Sequence, residues 1–166
     1  MKRREFLKTS AIGTIASAGM LVSCKSTIIN MERNKNNPII LSTWAHGIPA
    51  NEAALEVLKN KGNAMDAAEA GARDSEQDPL NTSVGLGGLP DEKGHVTLDS
   101  CVMDHTGNCG SVAFLQDIKH PVSVARKVME ETKHVMLVGE GARQFAISKG
   151  FQEIDLLTED SKKAWE

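Results

Sequence analysis

The pattern of apolar positions beyond residue 37 predicts strands and helices in alternation. Residues 38–44 are a short apolar run with several β-branched side chains behind a proline, which is typical of a buried strand. Residues 50–60 carry apolar side chains at helical spacing, and Gly62 follows as a helix stop. Asn63 is a favourable cap for a second helix, with Asp66 at the third helical position to complete a capping box. On this helix, positions 64, 67, 68 and 71 are all Ala or Gly. A face of such small residues predicts that a neighbouring element lies close against it.

The second half of the chain predicts a hairpin and then further helices and a strand. A glycine-rich loop at 83–90 precedes predicted strands at 95–103 and 109–115, and residues 104–108 have the composition of a turn. Pro121 suits the first turn of the next helix. The remaining predicted elements are a helix over 121–131, a strand over 134–138, a helix over 142–149 with Gly150 as its stop, and a helix from 158 onward. This order indicates a layered fold of the α/β (α+β) class.

The first 23 residues have the zones of an export signal. Basic Lys2-Arg3-Arg4 precedes an uncharged stretch over 9–23, and the sequence Arg-Arg-Glu-Phe-Leu-Lys at 3–8 matches the twin-arginine pattern. Leu-Val-Ser-Cys at 21–24 matches a lipobox, which predicts lipidation at Cys24. The alternatives are a plain secretory signal with a chance cysteine and a membrane-spanning helix, although a span needs about 20 apolar residues. We therefore expect a periplasmic, membrane-anchored lipoprotein with a polar tether over 24–37 and a domain over 38–166.

Charge and cysteine content narrow the function further. Residues 1–23 hold four of the 19 basic and one of the 22 acidic side chains, so the chain from Cys24 onward carries a net charge of −6. A surface of this sign, with no basic run, argues against nucleic acid as a partner. The two other cysteines, Cys101 and Cys109, leave two interpretations open: a disulfide formed in an oxidising compartment, or two buried free thiols.

Three common kinds of site are not supported by the motifs. The glycine-rich loop lacks the Lys-Ser or Lys-Thr of a phosphate-binding loop and does not open a helix. No Gly-x-Ser-x-Gly is present, as a serine hydrolase of the α/β type would require. The histidines lack the spacing of metal ligands, and we interpret them as isolated surface or core residues: His46, His95, His105, His120 and His134.

Several longer segments, taken together, resemble the first half of the glycosylasparaginase family, the N4-(β-N-acetylglucosaminyl)-L-asparaginases. They are PIILSTW at 38–44, AEAG at 68–71, SVGLGGLPD at 83–91, VTLDSCVMD at 96–104, IKHPVSVAR at 118–126 and HVMLVG at 134–139. The likeness covers nearly all of residues 38–166 in the family's order. The resemblance implies the N-terminal half of an αββα sandwich of the N-terminal-nucleophile hydrolase type.

The family resemblance also implies a mechanism and partners. A precursor cuts its own backbone and frees a threonine at the head of a β subunit; that threonine attacks the side-chain amide of a glycosylated asparagine, with its own α-amine as the base. No metal or organic cofactor is implied, and an (αβ)2 assembly is expected. In this chain, Trp44 matches a family tryptophan near the nucleophile and Ser83 matches a serine at the start of the glycine-rich loop.

The nucleophile itself is not found among these 166 residues. The family's threonine follows His-Asp in a His-Asp-Thr-Gly context, which does not occur here. Thr106 lies in Asp104-His105-Thr106-Gly107, where Asp and His are reversed and a hairpin turn is predicted. We therefore expect no catalytic residue in this chain and a threonine further downstream.

The sequence leaves the substrate and the activity open to alternatives. Two positions beyond Trp44, where the family often has an aromatic residue, this chain has His46. An isoaspartyl peptidase or L-asparaginase of the same superfamily is one alternative interpretation. A non-catalytic lipoprotein remnant is the other.

Overall fold

A computed structural model describes residues 38–166 of the chain. The predicted signal at 1–23, its lipobox Cys24 and the tether at 24–37 lie outside the described residues. None of the described helices is long and apolar enough to cross a membrane. The described elements are helices α1 Gly47–Lys59, α2 Ala64–Gln77, α3 Pro121–Glu131, α4 Gly139–Ser148 and α5 Glu159–Trp165, and strands β1 Leu98–Met103, β2 Cys109–Leu115 and β3 Met136–Val138.

The three strands form one sheet in the order β1-β2-β3. The predicted hairpin is confirmed: β1 and β2 are antiparallel, with Val102 opposite Gly110, and β3 joins β2 in parallel. A side chain at Gly110 would collide with the backbone of α3 at Ala125 and Met129, so α3 lies directly against β2. The core between the sheet and the helices is aliphatic: Val102, Val112, Leu115, Ile118, Val122, Val124, Ala125, Val128, Ala142 and Ala146.

The opposite face of the sheet is largely uncovered by the described residues. We call it the uncovered face; it consists of Cys101, Met103, Phe114, Met136 and Val138, all of which are exposed. Cys101 and Cys109 are both free, because Cys101 is opposite Ser111 and Cys109 is opposite Met103. The free-thiol interpretation is therefore the one observed, but its expectation of burial is wrong for both: Cys101 is exposed and Cys109 is only partly buried.

The predicted strand at 38–44 is wrong. Residues 38–42 have no regular secondary structure, and a bend and a turn follow before α1. Ile39 and Leu41 are 79% and 87% exposed rather than buried. An extended run becomes a strand only when a neighbouring strand accepts its hydrogen bonds, and no described strand pairs with this segment.

Helices α1 and α2 form the close pair that the small residues predict. A Cβ at Gly71 would lie 2.8 Å from the carbonyl oxygen of Ala50, so only glycine permits this approach. The predicted capping box is confirmed: Asp66 N–H donates to Asn63 Oδ1 at 2.9 Å, and Asn63 N–H donates to Asp66 Oδ2 at 3.1 Å.

The end of α1 differs from the expectation in one residue. The predicted stop, Gly62, donates its N–H to the carbonyl oxygen of Val57 at 2.9 Å, but the left-handed backbone position is taken by Lys61, with φ of 65°. In α4 the left-handed position is held by Gly150, as predicted, with φ of 87°. A Cβ at Gly62 would collide with Val57, so this glycine is required for packing rather than for its φ angle.

Candidate active site

Trp44 lies in the tight turn that leads into α1. The carbonyl oxygen of Trp44 accepts a hydrogen bond from Gly47 N–H at 2.9 Å, and that of Ala45 accepts one from Ile48 N–H at 3.2 Å. A side chain at Gly47 would collide with Ser42, so glycine lets the preceding segment fold back against the helix start. The indole of Trp44 is left 73% exposed.

An open groove of about 510 Å³ runs between residues 39–47 and the α1–α2 pair. Its floor is built from small residues of the two helices, including Ala50, Ala54, Ala67, Ala68 and Gly71. Trp44 and His46 both line it, and their rings are stacked with centroids 6.3 Å apart and planes inclined by 14°. The groove combines an apolar floor with an aromatic pair, which is the usual composition of a small-molecule site.

Ser83 lies elsewhere and does not line this groove. It is exposed, and its N–H donates to Asn81 Oδ1 at 3.2 Å. The glycines that follow pack against backbone: a Cβ at Gly85 would collide with Glu76, and Leu86 N–H donates to the Glu76 carbonyl oxygen at 2.8 Å. The described residues therefore do not bring Trp44 and Ser83 into one cavity, and the glycine-rich loop serves close packing on the end of α2.

Thr106 lies in the hairpin turn between β1 and β2, where it is hydrogen-bonded to Asp104. Its hydroxyl donates to Asp104 Oδ1 at 2.6 Å, and its backbone N–H donates to the same oxygen at 2.8 Å. These hydrogen bonds, together with those from Asn108, lower the pKa of Asp104 to about 2. A carboxylate with such a low pKa is a poor general base, so this turn has the chemistry of a structural motif.

A row of polar contacts, which we call the polar seam, joins α2 to α3 and was not predicted from the sequence. It consists of Asp66, Glu69, Arg73 and Glu76 on α2, and His120, Ser123, Arg126 and Glu130 at or on α3. The signal for it was available on α2, because charged residues at 66, 69, 73 and 76 follow helical spacing. Their partners could not be read from the sequence, since they lie 44 to 60 residues away.

At one end of the polar seam, Glu76 caps α3. Its buried carboxylate accepts a hydrogen bond from Val122 N–H at 3.0 Å, and its other oxygen lies 3.1 Å from His120 Nδ1. The carboxylate therefore satisfies a free N–H at the start of α3, where a negative charge is favoured. Burial raises the pKa of Glu76, against the opposing effect of His120 and of the Val122 hydrogen bond.

At the other end, Arg126 holds three carboxylates. Its guanidinium lies 2.8 Å from Asp66 and 2.7 Å from both Glu69 and Glu130. These charge-assisted hydrogen bonds, that of Glu130 first, raise the pKa of Arg126 above its usual range. Since the described residues hold no group of three or more side chains arranged to bind a metal, the seam is an ion-pair network rather than a metal centre.

Comparison with known proteins identifies the class. The profile of the Asparaginase family matches residues 31–166, so this chain belongs to the asparaginase family of amidohydrolases. A protein from Elizabethkingia miricola named N(4)-(Beta-N-acetylglucosaminyl)-L-asparaginase is 51% identical over 164 residues, which are 98% of this chain and 48% of the relative. The Rattus norvegicus protein of the same name is 44% identical over 126 residues, covering 75% of this chain and 36% of the relative.

A third relative comes from an archaeon. The plant-type L-asparaginase of Pyrococcus furiosus is 45% identical over 107 residues, covering 64% of this chain and 35% of that protein. The glycosylasparaginase resemblance is confirmed by the family match and by these relatives. The mixed helix-and-sheet fold is consistent with the N-terminal-nucleophile asparaginases. The chain spans about half the length of the curated relatives it matches, or less.

Proposed function

We propose that this chain is the N-terminal portion of an exported amidohydrolase that converts N4-glycosylated asparagine to aspartate and a glycosylamine. The observation that carries the proposal is 51% identity, over nearly the whole chain, to an N(4)-(Beta-N-acetylglucosaminyl)-L-asparaginase. Rat and mouse proteins of the same name, 44% and 43% identical over 126 residues, support the same substrate class.

In this proposal the second portion supplies the nucleophile. A threonine freed by autoproteolysis attacks the side-chain amide carbon through its hydroxyl oxygen, and its α-amine takes the hydroxyl proton. The proton passes to the glycosylamine nitrogen as the C–N bond breaks, and water then hydrolyses the ester to aspartate. Trp44 and Ser83 line the site in the assembled protein, and neither a metal nor an organic cofactor takes part.

The uncovered face is where we expect the second portion to dock. It exposes Met103 by 66%, Met136 by 53% and Val138 by 54%, and contiguous apolar surface of this kind marks an interaction site. A second sheet on this face would complete an αββα sandwich, since α3 and α4 already cover the other face. An (αβ)2 assembly is part of the same proposal.

A chimeric protein tests the proposed function. Residues 38–166 replace the corresponding half of the Elizabethkingia miricola relative, and the unaltered relative is the positive control. We expect release of aspartate from N-acetylglucosaminyl-asparagine, and none from residues 38–166 alone. A chimera that assembles without activity, or one that does not assemble, contradicts the proposal. Turnover by the isolated chain would show that the chemistry is not supplied by the second portion.

The nearest alternative is an L-asparaginase or isoaspartyl peptidase. It is favoured by the plant-type L-asparaginase of Pyrococcus furiosus, at 45% identity over 107 residues. The same chimera should therefore be given free asparagine and an isoaspartyl dipeptide as well as glycosylated asparagine. A higher kcat/KM for either of the first two would favour the alternative, and a non-catalytic lipoprotein predicts no turnover of any of them.

Export is the part of the proposal that rests on the first 24 residues. The twin-arginine pattern generally carries folded proteins, so we expect the two portions to assemble in the cytoplasm and leave together, with Cys24 as the lipid anchor. Changing Arg3 and Arg4 to lysine should retain the protein inside the cell, and Cys24→Ser should release it from the membrane. Unaltered fractionation of both variants would contradict this localisation.

A further inference from the structure

His46 occupies the residue position immediately before α1 without capping the helix. Asn, Asp, Ser and Thr are favoured at this position, because a side-chain oxygen there accepts one of the free N–H groups of the first turn. The side chain of His46 makes no such hydrogen bond. Asn63 and Thr158, by contrast, make complete capping boxes in front of α2 and α5. In α1 the N–H groups of Gly47 and Ile48 donate to the carbonyl oxygens of Trp44 and Ala45, and Pro49 has no N–H, so no donor of the first turn is left for a side chain at position 46.

The imidazole of His46 instead lies alongside Trp44. The two rings are nearly parallel, with an angle of 14° and centroids 6.3 Å apart. The backbone between them is held by the two turn hydrogen bonds accepted by the carbonyl oxygens of Trp44 and Ala45. Among the described residues the indole has little other cover, since Trp44 is 73% exposed. His46 is half-buried and lies against one side of the ring.

We propose that His46 is a positioning residue: its ring holds the indole of Trp44 at the rim of the groove, so that the open part of the indole receives the sugar of the substrate. This inference rests on the proposed function and adds a residue to it. A pyranose ring presents C–H bonds on its face, which pack against an aromatic surface, while its hydroxyl groups require polar partners. The groove offers such partners beside the two rings in Ser42, Thr43 and Asn51.

Substitutions of His46 distinguish a residue that positions Trp44 from one that only supports the fold. If His46 served only the fold, replacing it with alanine or asparagine would change neither the exposure of the Trp44 indole nor substrate binding. If it positions Trp44, the same replacements expose more of the indole and weaken substrate binding. Phenylalanine keeps an aromatic ring against the indole and should preserve binding, whereas alanine should not.

The first experiment uses the chain itself. It contains two tryptophans, Trp44 and Trp165, so Trp165→Phe leaves Trp44 as the only indole reporter. In that background we expect His46→Ala and His46→Asn to increase quenching of Trp44 fluorescence by acrylamide, and His46→Phe to leave it unchanged. His95→Ala is the matched control, because His95 lies outside the groove and contacts Asp91 at 3.8 Å.

The second experiment measures kinetics in the chimera described above. We expect His46→Ala and His46→Asn to raise KM for N-acetylglucosaminyl-asparagine about threefold to tenfold, the range of one aromatic contact, with kcat changed less than about twofold. His46→Phe and His95→Ala should both leave KM close to that of the parent chimera. An active chimera with unchanged KM in His46→Ala would overturn this inference alone. An inactive but assembled parent chimera would instead overturn the proposed function, and equal quenching in all variants would refute the support of Trp44 by His46.

Discussion

At the scale of single residues, two positions show how the end of a helix constrains side-chain choice. Lys61 and Gly150 follow α1 and α4 at the same place, and both have a left-handed backbone, with φ of 65° and 87°. In each case the next residue donates to the third carbonyl from the helix end, from Gly62 to Val57 and from Phe151 to Ala146. A residue with a Cβ is strained there, and glycine is not.

Lys61→Gly is therefore expected to stabilise the protein. Removing the Cβ relieves the left-handed strain, which should raise the free energy of unfolding by about 1 kcal/mol. Urea unfolding followed by circular dichroism measures it. Gly150→Ala is the matched converse, because an added Cβ would meet no atom within 4 Å and only backbone strain would change. A stability loss in Lys61→Gly would contradict this account.

Glu76→Gln should change how stability depends on pH. Burial raises the pKa of Glu76 above its ordinary 4.5, so the native state binds this proton more tightly than the unfolded chain. The contribution of Glu76 is therefore most favourable at low pH and falls as pH rises from 4.5 through the raised native pKa. Glutamine does not titrate but can still accept the hydrogen bond from Val122 N–H.

The measurement is urea unfolding of both proteins across roughly pH 4 to 8. The stability of Glu76→Gln relative to the natural protein should increase with pH in that range. The exposed Glu92→Gln variant is the control and should give a flat difference. A difference for Glu76→Gln that falls with pH would show that the pKa of Glu76 is lowered.

At the scale of elements, the polar seam attaches the α1–α2 pair to α3. Arg126 lies at the end of the seam opposite Glu76, with its side chain 20% exposed and three carboxylates within 2.8 Å. Removing one member of a partly buried network leaves the others without a partner, which costs more than an exposed pair contributes. The seam is therefore expected to be sensitive at Arg126 and tolerant at its surface neighbours.

Arg126→Met should lower the free energy of unfolding by about 2 kcal/mol, because Asp66 and Glu69 lose their partner. Methionine retains most of the apolar length of the arginine stem. Lys127→Met, which removes a more exposed pair with Glu131 one residue further along α3, is the control and should have little effect. Equal losses in the two variants would argue against a special role for the seam.

Local signals predicted most of the elements but not the contacts between them. Asn63 with Asp66, Pro121 and Gly150 each fix a helix end through neighbouring backbone, so the sequence alone located them. The apolar run at 38–44 led to a wrong strand prediction, because a strand needs a neighbouring strand and the pattern of one segment does not show whether it has one. The contact between Glu76 and His120 joins residues 44 apart, which is beyond any local pattern.

The candidate site was predictable only in part. Trp44 was identified through the family motif, and its place on the groove is now described. The stacking of His46 on it depends on the turn geometry, which composition does not specify. Ser83 was identified through the same family resemblance, yet it lies away from the groove in the described residues. Its proposed role depends on the second portion of the protein.

At the scale of the whole molecule, helices cover one face of the sheet, and the described residues leave the other face largely uncovered. The core lies between the sheet and α3 and α4, whereas Met136 and Val138 remain more than half exposed on the uncovered face. Apolar sheet surface of this kind associates with other sheets. A preparation of residues 38–166 alone should therefore self-associate.

Met136→Lys tests that expectation. A charge on the uncovered face should shift residues 38–166 toward monomer in size-exclusion chromatography and leave the urea midpoint nearly unchanged, because Met136 lies outside the core. In the chimera the same substitution should weaken assembly of the two portions. Ile147→Lys, on an exposed position of α4, is the control and should alter neither. Unchanged self-association in Met136→Lys would exclude the uncovered face as its cause.

During synthesis, the α2 side of the polar seam is exposed before its partners on α3 are made. The partners on α3 follow those on α2 by 44 to 60 residues, so the α1–α2 pair is synthesised well before α3. At about 5 to 20 residues per second, this interval lasts roughly 2 to 12 seconds. Nascent chains stalled before residue 118 should accordingly show α1 and α2 as protease-sensitive. Until α3 is available, the side of α2 that will contact it exposes a row of charged side chains. Water solvates these charges, so this surface does not attract neighbouring chains.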